Sequence, residues 1–173
     1  DRKRIRSAPR LDDFLKEYWT RWSPQWKPST LATHDGYRRL YLDNAFKGVF
    51  IDELNEADVA KWFSDLNNRA GPGAANRTLE ILKNLLNKAE AWGYRLENTN
   101  PCRSVRPNKR RQCERFMSAD ELARLGNVLA QLRIDDNPTI RASGAAITLL
   151  LLTGCRCREI LTLQWQDVKG SRL

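Results

Sequence analysis

The residues best suited to chemistry on a phosphate lie near the C-terminus, around Arg156. An apolar segment runs from Leu149 into Thr153 and Gly154, and Arg156 follows at the start of a second amphipathic segment. A guanidinium offers phosphate a bidentate fork of donors, and phosphoryl transfer depends mainly on positioning and charge stabilisation. Glu159 lies one helical turn later and can orient the arginine. The spacing fits an arginine positioned for phosphate and supported by a glutamate, but spacing alone favours an ordinary surface arginine in an ion pair with Glu159.

A second set of side chains could bind duplex DNA. Residues seven apart return to nearly the same helix face, and Lys, Arg and Asn without many acids suit phosphate and base-edge contacts in a major groove. The candidates on the fourth predicted helix are Asn76, Arg77, Lys83, Asn84 and Asn87, and those on the second are Thr30, Thr33, His34 and Arg38. The alternative is that both sets are solvated helix faces.

Two short segments hold the whole formal net charge of +9. Residues 1–10 contain five basic residues and one acid, and residues 103–115 contain six basic residues and one acid, so the rest of the chain is balanced. Such segments suit a polyanion, because neutralised phosphates release their counterions. A solubilising role is the alternative. In the second segment the candidates for DNA contact are Arg106, Lys109, Arg110 and Arg111.

The cysteine and histidine content argues against a metal site. The four cysteines show no C-x-x-C spacing, and His34 is the only histidine. We therefore expect no metal and no cofactor, with the thiols reduced. The longest apolar run, Ala145–Leu152, is too short to span a bilayer. We expect no membrane partner and a cytosolic or nucleoid location.

Apolar periodicity predicts an all-α chain with no convincing strand. The first predicted helix buries one face that includes Leu11, Phe14, Leu15, Tyr18, Trp19 and Trp22. The second helix begins with Ser29 or Thr30 as its cap and ends near Asn44, the third is capped by Asn55, and the fourth runs from about Ala74 to Trp92 after a break at Gly71-Pro72-Gly73. These four helices predict a compact bundle.

A second body is expected from Phe116 onward. Ser118 and Glu121 have the spacing of a capping box. The helix that follows carries an apolar stripe made of Leu122, Leu125, Val128, Leu129 and Leu132. A further helix, from about Thr139 to Leu152, is apolar on most faces, which predicts a central core helix that ends at Gly154.

The segment around Arg156 resembles the first-arginine box of the tyrosine recombinases, the phage-integrase family. The shared pattern is Leu-x-x-Thr-Gly-x-Arg-x-x-Glu-Ile-x-x-Leu-x-Trp-x-Asp-Val, which covers residues 150–168. Asn100-Pro101-Cys102 is similar to the family's exit from its N-terminal bundle, and residues 116–122 are similar to the start of its catalytic domain. The resemblance covers about residues 8–168.

The resemblance implies a fold, a reaction and a domain order. The expected order is a basic N-terminal segment (1–10), a SAM-like core-binding bundle (11–97), a basic interdomain linker (98–115) and the first helices of a catalytic domain (116–173). Such enzymes cut DNA with a tyrosine, form a 3′-phosphotyrosyl intermediate and rejoin strands without metal or nucleotide. Arg156 would contact the scissile phosphate, with support from Glu159. The partner would be duplex DNA at an attachment-site core, bound by a tetramer of the full-length parent.

The sequence departs from the family after Arg156. The family's catalytic lysine, its His-x-x-Arg box and its tyrosine lie downstream of the first-arginine box, whereas Tyr18, Tyr37, Tyr41 and Tyr94 all lie upstream. We therefore expect an inactive, monomeric fragment of a longer integrase. Alternatives are a non-enzymatic helical DNA-binding protein, such as an excision factor or regulator, and a helical protein-interaction module.

Overall fold

The chain forms two compact helical units. The computed structural model describes residues 8–109, 114–168 and 170. Contacts divide the chain into Asp1–Arg111 and Gln112–Leu173. Within the described residues the regular structure is helical, and one isolated antiparallel bridge joins Arg10 to Phe50. The all-α prediction is therefore confirmed, and the chain has no strand in the described ranges.

Each unit has its own set of helices in the described residues. The first unit contains α1 (Leu11–Trp22), α2 (Pro28–Tyr37), α3 (Glu56–Ala70) and α4 (Pro72–Ala91), with 3-10 turns at Ser23–Gln25 and Pro101–Arg103 and a π-helical turn at Arg38–Leu42. The second unit contains α5 (Ala119–Leu132), α6 (Pro138–Thr153), α7 (Cys157–Leu161) and a 3-10 turn at Trp165–Asp167.

The core of the first unit contains an aromatic cluster in which Phe14 of α1 contacts two rings from the segment after α4. Phe14 is fully buried, and its ring meets those of Trp92 and Tyr94 edge-on at 5.5 and 5.6 Å between centroids. Burying one large apolar side chain contributes about 1.5–3 kcal/mol. The opposing helices contribute Val59, Phe63 and Leu66 from α3 and Leu79, Leu82, Leu85 and Leu86 from α4. This packing fixes α4, and with it the direction of its polar face.

Proline occupies the first position of α2, α4 and α6, and the starts of α2 and α4 differ from their predicted places. α2 begins at Pro28, so the two predicted cap residues lie inside the helix. α4 begins at Pro72, directly after Gly71, so the predicted break is a helix start. Proline lacks an N–H, but N–H groups in the first turn have no intrahelical partner to lose. The φ of Gly71, 83°, is one that other residues rarely adopt.

Arg95 links the loop before α3 to the loop after α4 in the first unit. Its side chain is buried, and it donates hydrogen bonds to the Ile51 carbonyl at 2.6 Å and to the Thr99 carbonyl at 2.7 Å. Burial lowers the pKa of Arg95, although Glu90 and Asp52 oppose the shift. The guanidinium therefore ties the loop before α3 to the loop after α4.

The predicted linker begins as a folded part of the first unit. Asn100, Pro101 and Cys102 are buried against α3 and α4. Burial raises the pKa of the Cys102 thiol to about 12. The chain thus stays on the bundle well past residue 98. The domain roles expected from the sequence, with boundaries at 10, 97 and 115, stay predictions.

Local capping in the second unit follows the sequence. The Ser118 hydroxyl accepts the Glu121 N–H at 3.2 Å, and the Glu121 carboxylate accepts the Ser118 N–H at 2.9 Å, so the capping box is confirmed. Gly154 ends α6 in the left-handed conformation, with φ at 66°, as predicted. A methyl group added at Gly144 would lie 2.9 Å from the Leu132 Cβ, so α5 and α6 pack closely there.

The prediction that α6 is a central core helix is wrong for the described structure. Gly144 is its one buried residue, whereas Ile147, Leu151 and Leu152 are 39%, 43% and 79% exposed. α6 makes its main contacts with α5 and α7. Apolar composition shows that a helix can be buried, but not which neighbours will cover it.

Candidate nucleic-acid interface and the Arg156 junction

Side chains from three segments line an open groove of about 620 Å³ in the first unit. Thr33 and Tyr37 come from α2, Asn76 and Arg77 from α4, and Lys109 from the segment that follows α4. Four of these five residues are ones that the sequence predicts for DNA contact. Folding therefore brings together candidates that are up to 76 positions apart in the sequence.

Arg77 makes the polar contact between α2 and α4. Its Nη1 donates to the Glu80 carboxylate at 2.7 Å, and its Nη2 lies 3.4 Å from the His34 Nε2. Burial lowers the pKa of His34, and the charge of Arg77 lowers it further, whereas Glu80 opposes the shift. A neutral imidazole can accept from Arg77. Because a guanidinium has five N–H donors, Arg77 keeps donors beyond these two contacts.

The other candidates from the second predicted helix differ in their exposure and in their partners within the protein. Thr30 is half-buried, and the exposed Thr33 donates its hydroxyl hydrogen to the Ser29 carbonyl at 2.9 Å. Arg38 pairs with Asp35 at 3.0 Å and with Asp43 at 3.5 Å. Its guanidinium also lies over the Trp19 ring, 4.9 Å from the centroid. Arg38 thus has partners inside the first unit, and its contact with DNA stays a prediction.

The polar face of α4 divides into exposed and engaged residues. Lys83 and Asn84 are exposed. By contrast, the Asn87 side-chain oxygen accepts from the Asn100 amide at 2.8 Å, and the Asn76 amide group pairs with the backbone of Asn108. The exposed pair stays available to a ligand, whereas the engaged pair holds the segment that follows α4.

The predicted basic linker contributes one residue to the groove. Lys109 lines the groove, and Arg106 is exposed nearby in the sequence. The other two predicted contacts, Arg110 and Arg111, lie outside the described residues.

Arg156 is the N-cap residue of α7 in the second unit. The Glu159 carboxylate accepts the Arg156 backbone N–H at 2.8 Å and its Nη1 hydrogen at 3.0 Å. The Arg156 side chain is 88% exposed. Glu159 thus orients both the backbone and the guanidinium of Arg156, while the catalytic roles of the two residues stay predictions.

Two further findings bear on the class of site. Among the described residues, no cluster of three or more His, Cys, Asp or Glu side chains could hold a metal ion. None of the helices in those ranges combines the length and apolar character needed to cross a membrane.

Sequence reasoning missed the asparagines that hold the segment after α4. Asn67, Asn100 and Asn108 have no helical periodicity with their partners, since the side-chain N–H groups of Asn100 and Asn108 donate to residues between 13 and 41 positions away. The available signal was the proline next to Asn100 and next to Asn108, because Asn–Pro and Pro–Asn pairs are typical of turns. That signal indicates a turn but does not identify a partner.

Solved structures of lambda integrase share the fold of this chain. A dimer bound to a COC′ core site matches with a TM-score of 0.74 and 17% identity, over 95% of this chain and 44% of that one. A tetramer bound to a Holliday junction matches with the same score and identity, over 94% and 46%. A dimer of residues 75–356 bound to a COC′ core site matches likewise, over 93% and 54%.

These matches establish an integrase-like fold. The chain spans about half the length of the lambda integrase chains. No protein-family model matches the sequence, and no curated protein matches it.

Proposed function

We propose that this chain is the DNA-binding part of a site-specific tyrosine recombinase, an integrase that cuts and rejoins DNA through a 3′-phosphotyrosyl intermediate. The observation that carries the proposal is the groove between α2, α4 and Lys109, where basic, hydroxyl and amide side chains converge and Glu80 is the one acidic residue among the described residues that line it. The integrase-like fold supports it, since the lambda integrase structures with that fold are bound to DNA core sites and to a Holliday junction.

The groove suits the backbone of duplex DNA. Arg77 and Lys109 supply positive charge to phosphates, and Thr33 and Tyr37 supply hydroxyl groups. The N-terminal turn of α4 also borders the groove, and its dipole favours an anion there. Lys83 and Asn84 extend the exposed polar face along α4, which is the geometry of a helix in a major groove.

In the second unit Arg156 would act on the scissile phosphate. A guanidinium held by Glu159 can stabilise the charge that develops when a tyrosine oxygen attacks phosphorus and the 5′ oxygen leaves. All four tyrosines of the sequence belong to the first unit. Tyr18 is buried, and the Tyr94 hydroxyl donates to Glu17 at 3.2 Å. We propose that cleavage needs a tyrosine outside these 173 residues, so that this chain binds DNA without cutting it.

Salt-dependent binding tests the proposal. Fluorescence anisotropy with a labelled duplex should give an affinity that falls steeply with salt, and Arg77→Ala and Lys109→Ala should each reduce the slope of log K against log[salt] by about 0.9. Lys61→Ala, an exposed α3 lysine outside the groove, removes the same charge and serves as the matched control. Equal effects of Lys109→Ala and Lys61→Ala would exclude the groove as the interface.

A non-enzymatic DNA-binding protein is the second candidate, and the exposure of Arg156 favours it. A side chain that is 88% exposed and paired within its own helix fits an ordinary surface arginine. The recombinase proposal expects Arg156→Ala to reduce the salt slope by about 0.9 while Arg158→Ala, a change at an exposed neighbour, leaves it unchanged. A slope unaffected by either change supports the second candidate.

The assembly state follows from the same proposal. We propose that this chain is a monomer in solution and that tetramers form only when the full-length parent occupies paired DNA sites. Light scattering on the free chain tests the first part. A stable tetramer without DNA would contradict it, and a complete lack of DNA binding at low salt would instead favour a protein-interaction module.

A further inference from the structure

The segment after α4 turns back and runs along that helix toward its N-terminus. Asn100 contacts the C-terminal half of α4, because its side-chain amide donates to the Lys83 carbonyl at 3.0 Å and to the Asn87 oxygen at 2.8 Å. Asn108 contacts the first turns of the same helix, at Asn76. The direction from Asn100 to Asn108 is therefore antiparallel to α4.

The start of this segment is held firmly. Asn100 is 3% exposed, and its backbone N–H donates to the Glu90 carboxylate at 2.7 Å. The other Glu90 oxygen accepts from Arg103 at 2.7 Å, and the Glu90 side chain is only 8% exposed. Val105 packs against the core of the unit. These contacts fix the path of the chain up to the point where it meets Asn76.

The Asn76–Asn108 pair has a geometry that orients the backbone. The Asn76 amide nitrogen donates to the Asn108 carbonyl at 2.9 Å, and the Asn76 oxygen accepts the Asn108 N–H at 2.8 Å. The Asn108 side chain donates in turn to the Asn67 oxygen at 2.6 Å. One side-chain amide thus pairs with both backbone groups of a single residue, as a neighbouring strand would. We call these three residues the asparagine clasp.

The clasp determines where the next residue lies. Lys109 follows Asn108 directly, and Arg77 follows Asn76 directly, and both line the groove. Their ammonium and guanidinium groups therefore belong to one surface, although the residues are 32 positions apart. The Asn76 and Asn67 contacts of Asn108 are the ones that hold the residue next to Lys109, so losing them would add the entropy of ordering Lys109 to the cost of binding a phosphate.

We propose that the asparagine clasp is a positioning device for the DNA interface: Asn76 and Asn108 hold Lys109 in the groove with Arg77, so that Lys109 is positioned for phosphate before DNA arrives. In this role Asn76 contacts the protein backbone instead of a base edge, which revises its predicted part in direct DNA contact. The inference rests on the proposed function, because the benefit of the ordered lysine is measured in DNA affinity.

A double-mutant cycle separates positioning from direct contact. DNA affinity is measured by anisotropy for the whole chain with Lys109→Ala, Asn76→Ala and both changes. Positioning predicts that Lys109→Ala reduces the salt slope by about 0.9 in the native background and by less than about half of that in the Asn76→Ala background. If Asn76 contacts DNA directly and independently, the two effects combine without coupling, which would overturn the proposal.

A second readout does not depend on DNA. Hydrogen exchange of the free chain should show a protected Asn108 N–H in the native protein and rapid exchange in Asn76→Ala. Asn108→Gly provides a variant outside the helices, which loses the Asn67 contact and gains backbone freedom, so it should weaken the Lys109 effect without unfolding α4.

The outcomes are distinct. Protection at Asn108 together with coupling to Lys109 supports the positioning role. DNA binding without coupling rejects the positioning role but leaves the proposed function standing. If the native chain does not bind duplex DNA at low salt, the proposed function fails, and the clasp is only a structural contact.

Discussion

The two units of this chain differ in how completely they bury their apolar residues. In the first unit, α1, α3 and α4 enclose a continuous core with Phe14 at its centre. Among the described residues of the second unit, the buried large apolar side chains are Leu129 and Ile160, while Leu152 and Trp165 are 79% and 91% exposed. The first unit thus has a core of its own, whereas the described helices of the second leave much apolar surface uncovered.

The two candidate sites are therefore held in place by different kinds of contact. The groove of the first unit rests on a packed core and on long-range contacts between α2, α4 and the asparagine clasp. The connection between α6 and α7, which contains Arg156, is held by local contacts. Glu159 accepts from Arg156 three residues away, and Gly154 ends α6 with a hydrogen bond four residues back. Changes in the first unit should therefore have larger effects on stability than equivalent changes in the second.

The largest expected contrast is in thiol reactivity. Cys102 is buried, and its pKa is raised to about 12, so its thiolate is scarce at neutral pH and reaction needs opening of the first unit. Cys157 is exposed. In a Cys113→Ser background we expect Cys102 to react with a thiol reagent on the order of a thousand times more slowly than Cys157.

Mass spectrometry of partly labelled protein measures this contrast, with unfolded protein as the control in which both thiols react. Comparable rates at Cys102 and Cys157 in the native chain would show that the first unit lacks the closed core described above.

Truncating an apolar side chain should lower the free energy of unfolding by several kcal/mol more in the first unit than in the second. Phe14→Ala removes the central ring and leaves a cavity, so we expect the free energy of unfolding of the first unit to fall by about 3–5 kcal/mol. Leu151→Ala in α6, at a side chain that is 43% exposed, should cost less than about 1 kcal/mol. Urea unfolding followed by far-UV circular dichroism reports on the helices of both units, and tryptophan fluorescence assigns the transition of the first unit, which holds all the tryptophans except Trp165.

Two arginines give a third contrast. Arg95→Met leaves the Ile51 and Thr99 carbonyls without their buried donor, so unfolding should become easier by about 2–4 kcal/mol. Arg156→Met should change stability by less than about 0.5 kcal/mol, because that side chain is exposed. The same urea titration checks both. Similar losses for the two variants would contradict the difference in their surroundings.

The smallest expected effect concerns pH and His34. Because burial and Arg77 lower the folded-state pKa of His34 below its usual 6.5, the unfolded chain binds a proton first as pH falls. Stability should be highest above about pH 6.5 and should decrease as pH falls toward the folded-state pKa. His34 is the only histidine, so His34→Gln should remove this decrease between about pH 8 and pH 5. If His34→Gln leaves the dependence of stability on pH unchanged, the pKa of His34 is not lowered in the folded chain.

The sequence predicts those features that depend on neighbouring positions. The Asn55 cap on α3, the Ser118–Glu121 capping box and the Gly154 helix end were all predicted, because each contact spans four residues or fewer. The buried face of α1 follows from its periodicity in the same way. The sequence predicts the starts of α2 and α4 too late, because Pro28 and Pro72 interrupt the helical pattern although proline is also favoured at the first position of a helix.

Features that depend on distant partners could not be predicted. The sequence indicates that Asn76 and Arg77 are polar residues of one helix, but not that one pairs with Asn108 and the other with His34. It likewise shows that α6 is apolar, but not which of its faces the described neighbours leave open. In each case the missing information is the three-dimensional packing of segments that local propensity treats separately.

The central claim is that duplex DNA binds the groove between α2, α4 and Lys109, and an NMR titration of the 20.0 kDa chain tests it most directly. With unlabelled duplex added in steps at low salt, the account predicts that amide shifts concentrate at Thr33, Tyr37, Arg77 and Lys109, while Lys61 on α3 stays unchanged. Shifts centred on α3, or no saturable shifts in the groove, would contradict it.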